Sequence, residues 1–306
     1  MTQKKPPRNI AASVRARLTE RARAKNENVQ LVLTRYAIER LLYRLGASPQ
    51  REHFVLKGAM LFSLWSHLPY RSTGDLDLLG AGDPSPERMK TIFAEILSAP
   101  TIDDGVSFKP ETLRSESARE DDDYSGIRMT LDASIAGTNL PVQIDIGFGD
   151  VVMPGTQEIE YPSMLDMPAP SLRAYPPETV VAEKFQAIVA LGMTKSRMKD
   201  FFDIWVISET SSFEAPGLVN AIRATFERRK TNLPTEVPIA LTDAFEADVT
   251  KRAQWQGFIR RTAFAMSPKP LPDIIERIRM FAFSPIQSQA MLGSKWLPGG
   301  PWSSKE

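Results

Sequence analysis

Two runs in the middle of the chain alternate apolar and polar residues at every second position, and that pattern dictates a sheet. In GIRMTLDASI (126–135), Ile127, Met129, Leu131, Ala133 and Ile135 alternate with Arg128, Thr130, Asp132 and Ser134. In LPVQIDIGF (140–148), Leu140, Val142, Ile144, Ile146 and Phe148 face one way, and Gln143, Asp145 and Gly147 the other. A period of two belongs to strands with one buried face and one polar face. VSFKPETLR (106–114) is expected to pair with 126–135 as a hairpin across a polar tip. The consecutive acids Glu120, Asp121, Asp122 and Asp123 fall on that tip and read as a solvated loop.

The period changes along the chain. Residues 11–25 read as a basic helix and 27–45 as a stronger one, with Gly46 suited to the position after its end. FVLKGAMLFSLWSHL (54–68) reads as a short strand turning at Gly58 into a helix. LDLLG (76–80) reads as a short strand, and 86–98 as a helix. After about residue 165, Pro168, Pro170, Pro176 and Pro177 mark a linker-like stretch. Helical periods follow over 178–191, 196–208, 214–229, 238–249, 251–265 and 271–282. The expectation is an α+β chain: a sheet-bearing core with N-terminal basic helices over 1–165, an α-helical domain over 166–292, and an irregular tail over 293–306.

Composition narrows the chemistry. The 306 residues include no Cys and only two His. Thiol nucleophiles, disulfides, zinc ribbons and iron–sulfur clusters are therefore excluded, leaving carboxylates, amines, hydroxyls and backbone groups. His53 and His67 are isolated, and neither forms a recognisable motif with a Ser nucleophile. No apolar stretch approaches the ~20 residues of a membrane span, so a soluble cytoplasmic protein with no membrane partner is expected.

The formal net charge is +1, from 38 Lys and Arg against 37 Asp and Glu. The charges are nevertheless clustered. Residues 1–25 hold eight Lys or Arg against one acid, Glu20. Further basic groups are Arg223, Arg228, Arg229 and Lys230, and Lys251, Arg252, Arg260 and Arg261. Such clusters are either solvated helix faces or contacts to a nucleic-acid backbone.

Asp75 and Asp77 stand two apart on a predicted strand, flanked by Leu76 and Leu78. Positions i and i+2 of a strand share a face. Two carboxylates side by side repel unless a cation sits between them, and an all-oxygen site favours Mg²⁺. A solvated or capping DxD is the plainer alternative. Asp145 supplies a third carboxylate on another strand, on the face opposite the apolar stripe. Gly58 lies upstream, where a chain turning into a helix offers free N–H groups to phosphate. This order of helix, strand DxD and later strand Asp resembles the layout of polymerase-β-type nucleotidyltransferases.

The resemblance becomes specific in two segments. KGAMLFSLWSHLPYRSTGDLDLL (57–79) resembles the first motif of the AbiEii/AbiGii abortive-infection toxin family, with Lys57, Gly58, Arg71, Thr73, Asp75, Leu76, Asp77 and Leu78 in matching places. The segment 175–205 resembles the family's later AEK and RxKDxxD motifs through Glu183, Lys184, Arg197, Lys199, Asp200 and Asp203. The sequence departs from the family's form at Ala59 and Met60, where a second Gly and a Ser or Thr are usual.

The resemblance implies a Mg²⁺-dependent nucleotidyltransferase that moves NMP from an NTP to an RNA acceptor, such as the 3′ end of tRNA modified by related MenT-type toxins. It implies use as the toxin of a toxin–antitoxin or phage-defence module, with a winged-helix antitoxin encoded nearby. Asp75, Asp77 and Asp145 would hold metal. Lys57, Gly58, Arg71, Thr73, Lys184, Arg197 and Asp203 would serve NTP binding. Lys184 and Asp200 would act with the three metal-site carboxylates in catalysis. From pattern alone, Lys184 is a residue snorkelling from a half-buried helix face, and Arg197–Asp200 is a surface ion pair. Other readings are AMP transfer to a protein or small molecule, and a non-catalytic member that binds RNA or a partner.

Overall fold

A computed structural model describes residues 9–65, 74–120, 124–194, 196–262 and 267–304. The chain forms two compact units. The first draws on residues 9–64, 74–149 and 158–174; the second draws on residue 65, 150–157 and 175–304. The division is not a single cut near residue 165, because 150–157 leaves the first unit and the chain then returns to it.

The first unit opens with α1 (Ile10–Ala24) and α2 (Val29–Gly46). Asn9 and Asn28 cap them, each side-chain oxygen accepting from the amide three residues on. The chain continues through β1 (Phe54–Lys57), a 3₁₀ turn at Gly58–Leu61, α3 (Phe62–Trp65), β2 (Asp75–Gly80) and α4 (Pro86–Ser98). Ser85 caps α4, with Pro86 at the first helical position, where a missing N–H costs nothing. Then come β3 (Ser107–Glu120), β4 (Tyr124–Ile135), β5 (Thr138–Phe148), β6 (Gln157–Glu160) and β7 (Ser171–Ala174).

These strands form one mixed sheet in the order β3-β4-β5-β2-β1-β7-β6. The β2–β5 and β1–β7 pairs are parallel; β1–β2, β3–β4 and β4–β5 are antiparallel. The alternation in 126–148 does what its period dictates: Ile127, Met129, Leu131, Val142, Ile144 and Ile146 are all buried on one face. Leu33, Tyr36 and Ala37 of α2 and Met89, Ile92 and Phe93 of α4 are buried as well. Phe93 meets Phe54 edge to face at 5.5 Å.

Two expectations about this unit change. Gly46 is the last residue of α2 rather than the residue beyond it. A side chain there would overlap the Ser171 carbonyl, so the position needs Gly for close approach to β7. The proline-marked stretch is also more than a linker. It supplies β7 to the sheet and is pinned to α2 by buried polar groups. Met164 N–H and the Ser163 hydroxyl donate to the Glu39 carboxylate at 2.8 and 3.0 Å, and Arg40 donates to Pro168 C=O at 2.9 Å. Burial pushes the Glu39 carboxyl up, opposed first by Arg40.

The second unit carries α5 (Pro177–Leu191), α6 (Met198–Thr210), α7 (Ala215–Arg228), α8 (Asp243–Ala247), α9 (Val249–Arg261), α10 (Leu271–Ile278) and α11 (Ser284–Gln287). The predicted 238–249 helix is interrupted, because Thr242 is extended between a 3₁₀ turn at Ile239–Leu241 and α8. Within its described residues, 293–304, the tail carries two short strands rather than being irregular throughout. Strand β8 (Phe213–Glu214) pairs with β9 (Ser294–Trp296), which pairs with β10 (Trp302–Ser304). Strands this short carry no readable alternation; tryptophans hold them. The Trp296 indole N–H donates to Ser208 C=O at 2.7 Å, and its ring lies 4.9 Å from Phe281. Among the described residues no helix is long and apolar enough to cross a membrane.

Candidate active site

Strand β2 reads Asp-Leu-Asp-Leu-Leu-Gly, and its pleat sorts those residues. Leu76 and Leu78 are fully buried, while Asp75 is exposed and Asp77 half-buried on the opposite face. Neighbouring strands extend this polar face into a row. Lys57 of β1 is matched with Asp77, Asp77 with Asp145 of β5, Asp145 with Arg128 of β4, and Arg128 with Glu116 of β3. Matched residues stand on strands roughly 4.8 Å apart. The row therefore reads plus, minus, minus, plus, minus across five strands, and the two adjacent aspartates are flanked by cations. Asp75 lies one pleat along, matched with Gln143. The sequence-expected residues Lys57, Asp75, Asp77 and Asp145 thus share one face. Arg71 and Thr73 lie outside the described residues, as does His67.

Arg128 grips Asp145 with both arms. Its Nε lies 2.8 Å from Asp145 Oδ1 and its terminal nitrogen 3.2 Å from Oδ2. The Gln143 amide also donates to Oδ2 at 2.9 Å. This geometry is the bidentate fork of a strong guanidinium–carboxylate pair. Asp145 chiefly, with a smaller contribution from Asp75, raises the Arg128 pKa above its usual value.

Sequence reasoning missed Arg128, although a signal was present. Ile135 is matched with Thr138, leaving Ala136 and Gly137 as a two-residue turn, both with positive φ (46° and 79°). That is the tight hairpin turn whose twist suits antiparallel strands. Counting back from it puts Arg128 opposite Asp145.

Gly58 begins the turn after β1 with φ 75°, a backbone that L side chains rarely adopt. A side chain there would overlap the Asp77 carboxylate, so Gly58 is needed for conformation and for space. Ala59 and Met60 follow with their side chains buried, and the Tyr161 hydroxyl donates to Met60 C=O at 3.3 Å. The turn is 3₁₀ over Gly58–Leu61 before α3 begins, rather than an α-helix starting directly at Gly58. Met60, where the family usually has Ser or Thr, is a packing residue.

The donor set suits Mg²⁺ in part. Mg²⁺ prefers oxygen ligands and commonly takes one or two carboxylates while keeping several waters for substrate phosphates to replace. The Asp75 and Asp77 pair matches that chemistry. Among the described residues no three acidic or His side chains converge as a closed metal cage, and Asp145 is engaged by Arg128.

The second motif builds a different cluster within the other unit. Asp200 and Asp203 are three apart on α6 and so share a face. Lys184 of α5 sits between them, its Nζ 2.6 Å from Asp203 Oδ2 and 3.2 Å from Asp200 Oδ1. The Lys184 side chain is 14% exposed, Asp200 2% and Asp203 0%. Arg197, at the N-cap of α6 and 55% exposed, brings Nε to 3.6 Å from Asp200 Oδ2. Glu183, adjacent to Lys184, instead faces Arg229 at 3.6 Å, and Arg229 also binds Asp150 and Gln186 at 3.1 and 3.0 Å. Lys184 is thus a cation held by buried carboxylates rather than one snorkelling into solvent.

Two basic residues of the N-terminal cluster are used in packing, since Arg17 binds Asp166 at 2.7 Å and Arg21 donates to Met164 C=O at 2.9 Å. Arg15 and Arg23 on the same helix are exposed.

The model of the nucleotidyl transferase AbiEii toxin family, type IV toxin–antitoxin system, matches residues 40–277. Two solved structures share the fold. JHP933 from Helicobacter pylori is 14% identical over 85% of this chain and 93% of its own, with a TM-score of 0.50. A candidate nucleotidyltransferase from H. pylori is also 14% identical, over 85% of this chain and 96% of its own, with a TM-score of 0.50. No curated protein matches the chain. The family match starts within α2, runs through the acidic strand and continues beyond Lys184 and Asp203, so it embraces both motifs in their order. On that ground the chain belongs to the AbiEii nucleotidyl transferase toxins of type IV toxin–antitoxin systems.

Proposed function

We propose that the chain is a Mg²⁺-dependent nucleotidyltransferase toxin that moves NMP from an NTP onto RNA, with the 3′ end of tRNA as acceptor. One observation carries the reading: Asp77 and Asp145 are matched on adjacent parallel strands, with Asp75 one pleat along on the same polar face. In this reading the sheet unit is a polymerase-β-like core and the largely helical remainder a C-terminal domain.

Asp75 and Asp77 hold Mg²⁺, and Asp145 completes the carboxylate set near the acceptor hydroxyl. Bound Mg²⁺ supplies charge neutralisation on the phosphates and an oriented leaving group. Gly58 lets the backbone pass close under Asp77. Lys57, with Arg71 and Thr73, serves the nucleotide. Lys184, steadied by Asp200 and Asp203, and Arg197 counter triphosphate charge. Arg15 and Arg23 are candidates for the RNA backbone. The family match supports a paired antitoxin; in this reading that antitoxin is of the winged-helix class, and the toxin serves phage defence in the cytoplasm.

The test is label transfer. Purified protein with Mg²⁺ and each labelled NTP is expected to label a tRNA pool, and Asp77→Ala to abolish the transfer. Absence of labelled RNA, protein or small molecule with every common NTP sinks the enzymatic reading. Label on a protein or a small molecule instead moves the acceptor. The buried Ala59 and Met60, which replace the family's usual Gly and hydroxyl residue, favour the second reading, a non-catalytic RNA- or partner-binding member.

A further inference from the structure

Tyr161 lies between β6 and β7, in the segment that returns to the sheet unit, and it is buried. Its N–H donates to Pro170 C=O at 2.8 Å, which ties it into that segment. The segment enters the sheet as β7 beside β1, the strand that leads into the Gly58–Leu61 turn. The Tyr161 hydroxyl reaches that turn and donates to Met60 C=O at 3.3 Å. The Ser63 side chain of α3 hydrogen-bonds with the same hydroxyl. Burial pushes the Tyr161 hydroxyl up to about 12, so it keeps its proton and remains a donor at neutral pH.

The turn matters because of what it leans on. Gly58 opens it with φ 75°, and its backbone passes so close to β2 that an added carbon would overlap the Asp77 carboxylate. The turn is therefore a wall against one side of Asp77, and a shift of the turn moves that wall. Burial of Ala59, Met60 and Leu61 holds the turn in the core. Apolar burial is non-directional, however, and does not set the tilt of a peptide plane. A hydrogen bond to the carbonyl does, because its strength depends on angle.

We propose that Tyr161 is a positioning residue: by holding the Met60 carbonyl it sets the turn against Asp77, and so tunes the affinity of the site for a divalent cation without touching cation or substrate. The inference rests on the metal-site reading above and deepens it. Its consequence is that the returning segment 158–174 contributes to the site as well as to the sheet.

Calorimetric titration of the protein with Mn²⁺ reads the effect without reference to activity. Tyr161→Phe keeps the ring and removes only the donor. It is expected to weaken Mn²⁺ binding about threefold, the scale of one modest hydrogen bond. Tyr36→Phe is the matched control. Tyr36 is also buried in the sheet unit, and its hydroxyl donates to Asp104 C=O at 2.9 Å, a bond that ties α2 to the segment before β3 and not to the turn. Tyr36→Phe is expected to lower stability in urea unfolding while leaving Mn²⁺ affinity unchanged. The same unfolding assay verifies that each variant folds. Unchanged affinity in Tyr161→Phe overturns the proposal. Equal weakening in both variants overturns it too, since any lost buried hydrogen bond would then loosen the site. Asp77→Asn tests the reading beneath it: Mn²⁺ binding that is absent from the unaltered protein, or that survives Asp77→Asn, sinks the metal site and the inference with it. Binding that is lost in Asp77→Asn but unmoved in Tyr161→Phe sinks only the inference.

Discussion

The two cation–carboxylate clusters use the same chemical parts for different ends. In the sheet unit, Arg128 and Asp145 meet on an open polar face, with water reaching both partners. In the other unit, Lys184 sits on Asp200 and Asp203, two carboxylates almost completely removed from water. The first arrangement is cheap to make and cheap to exchange. The second carries a large desolvation cost for each ion and is tolerable only while every partner stays in place. Charge sign and distance do not distinguish them; solvent access does. A lysine meant to present charge repeatedly in one place benefits from the second design, and a carboxylate meant to change partners benefits from the first.

The sharpest way to break this contrast is Asp203→Ala. Removing one buried partner is expected to cost about 3–5 kcal/mol in urea unfolding; a loss below about 1 kcal/mol would place the Lys184 cluster in the same class as a surface pair. Gly58→Ala comes next. Left-handed strain costs roughly 1–3 kcal/mol, and the added carbon must displace the Asp77 carboxylate. Transfer activity is expected to fall much further than the stability change explains, and proportionate losses would show that Asp77 placement is not critical. Arg128→Gln should alter stability by less than about 1 kcal/mol, and a larger loss in the same unfolding assay would mean that the exposed pair is structural after all.

The smallest effect concerns Glu178 at the start of α5, whose carboxyl is pushed up by burial from its ordinary 4.5. A raised acid pKa means that the folded state binds the proton more readily than the unfolded one. Stability therefore falls as pH rises from 4.5 through the folded value, and is level above it. Glu178→Gln is expected to be slightly more stable than the unaltered protein at neutral pH, with the gain vanishing below pH 4.5. A gain that is independent of pH would point to a cause other than titration.

Much of the sheet unit was legible because its strands are long or strictly alternating. The runs 126–135 and 140–148 declare their faces residue by residue, and Asp75-Leu-Asp77 declares its own. The order of acidic positions therefore emerged before any coordinates. Arg128 was overlooked because it reads as one more polar residue on an exposed face. Its meaning comes from the register, which depends on Ala136 adopting a positive φ that its side chain disfavours. The strands β6 and β7 were hidden by their four-residue length and by the prolines around them. In the second unit helical periods were plain, but the burial of Asp200 and Asp203 ran against their composition. Nothing local in RMKDFFDIW says that two of its charges are dry; that follows from Lys184 arriving from another helix. The tail strands escaped notice because tryptophan packing, not alternation, holds them.

The pairing of β1 with β7 has a consequence for how this protein comes into being. Leu56 is matched with Ala174, so a strand made early in translation waits for one made much later, after the chain has detoured through 150–157. Until then β1 has an open side inside a sheet that already holds its acidic row, the type of edge that recruits foreign strands. A recombinant fragment stopped at residue 165 would retain Asp75, Asp77 and Asp145 and still lack the strand that closes this side. Aggregation of such a fragment would reflect a missing neighbour rather than a missing core. The first viable N-terminal piece has to extend past Ala174.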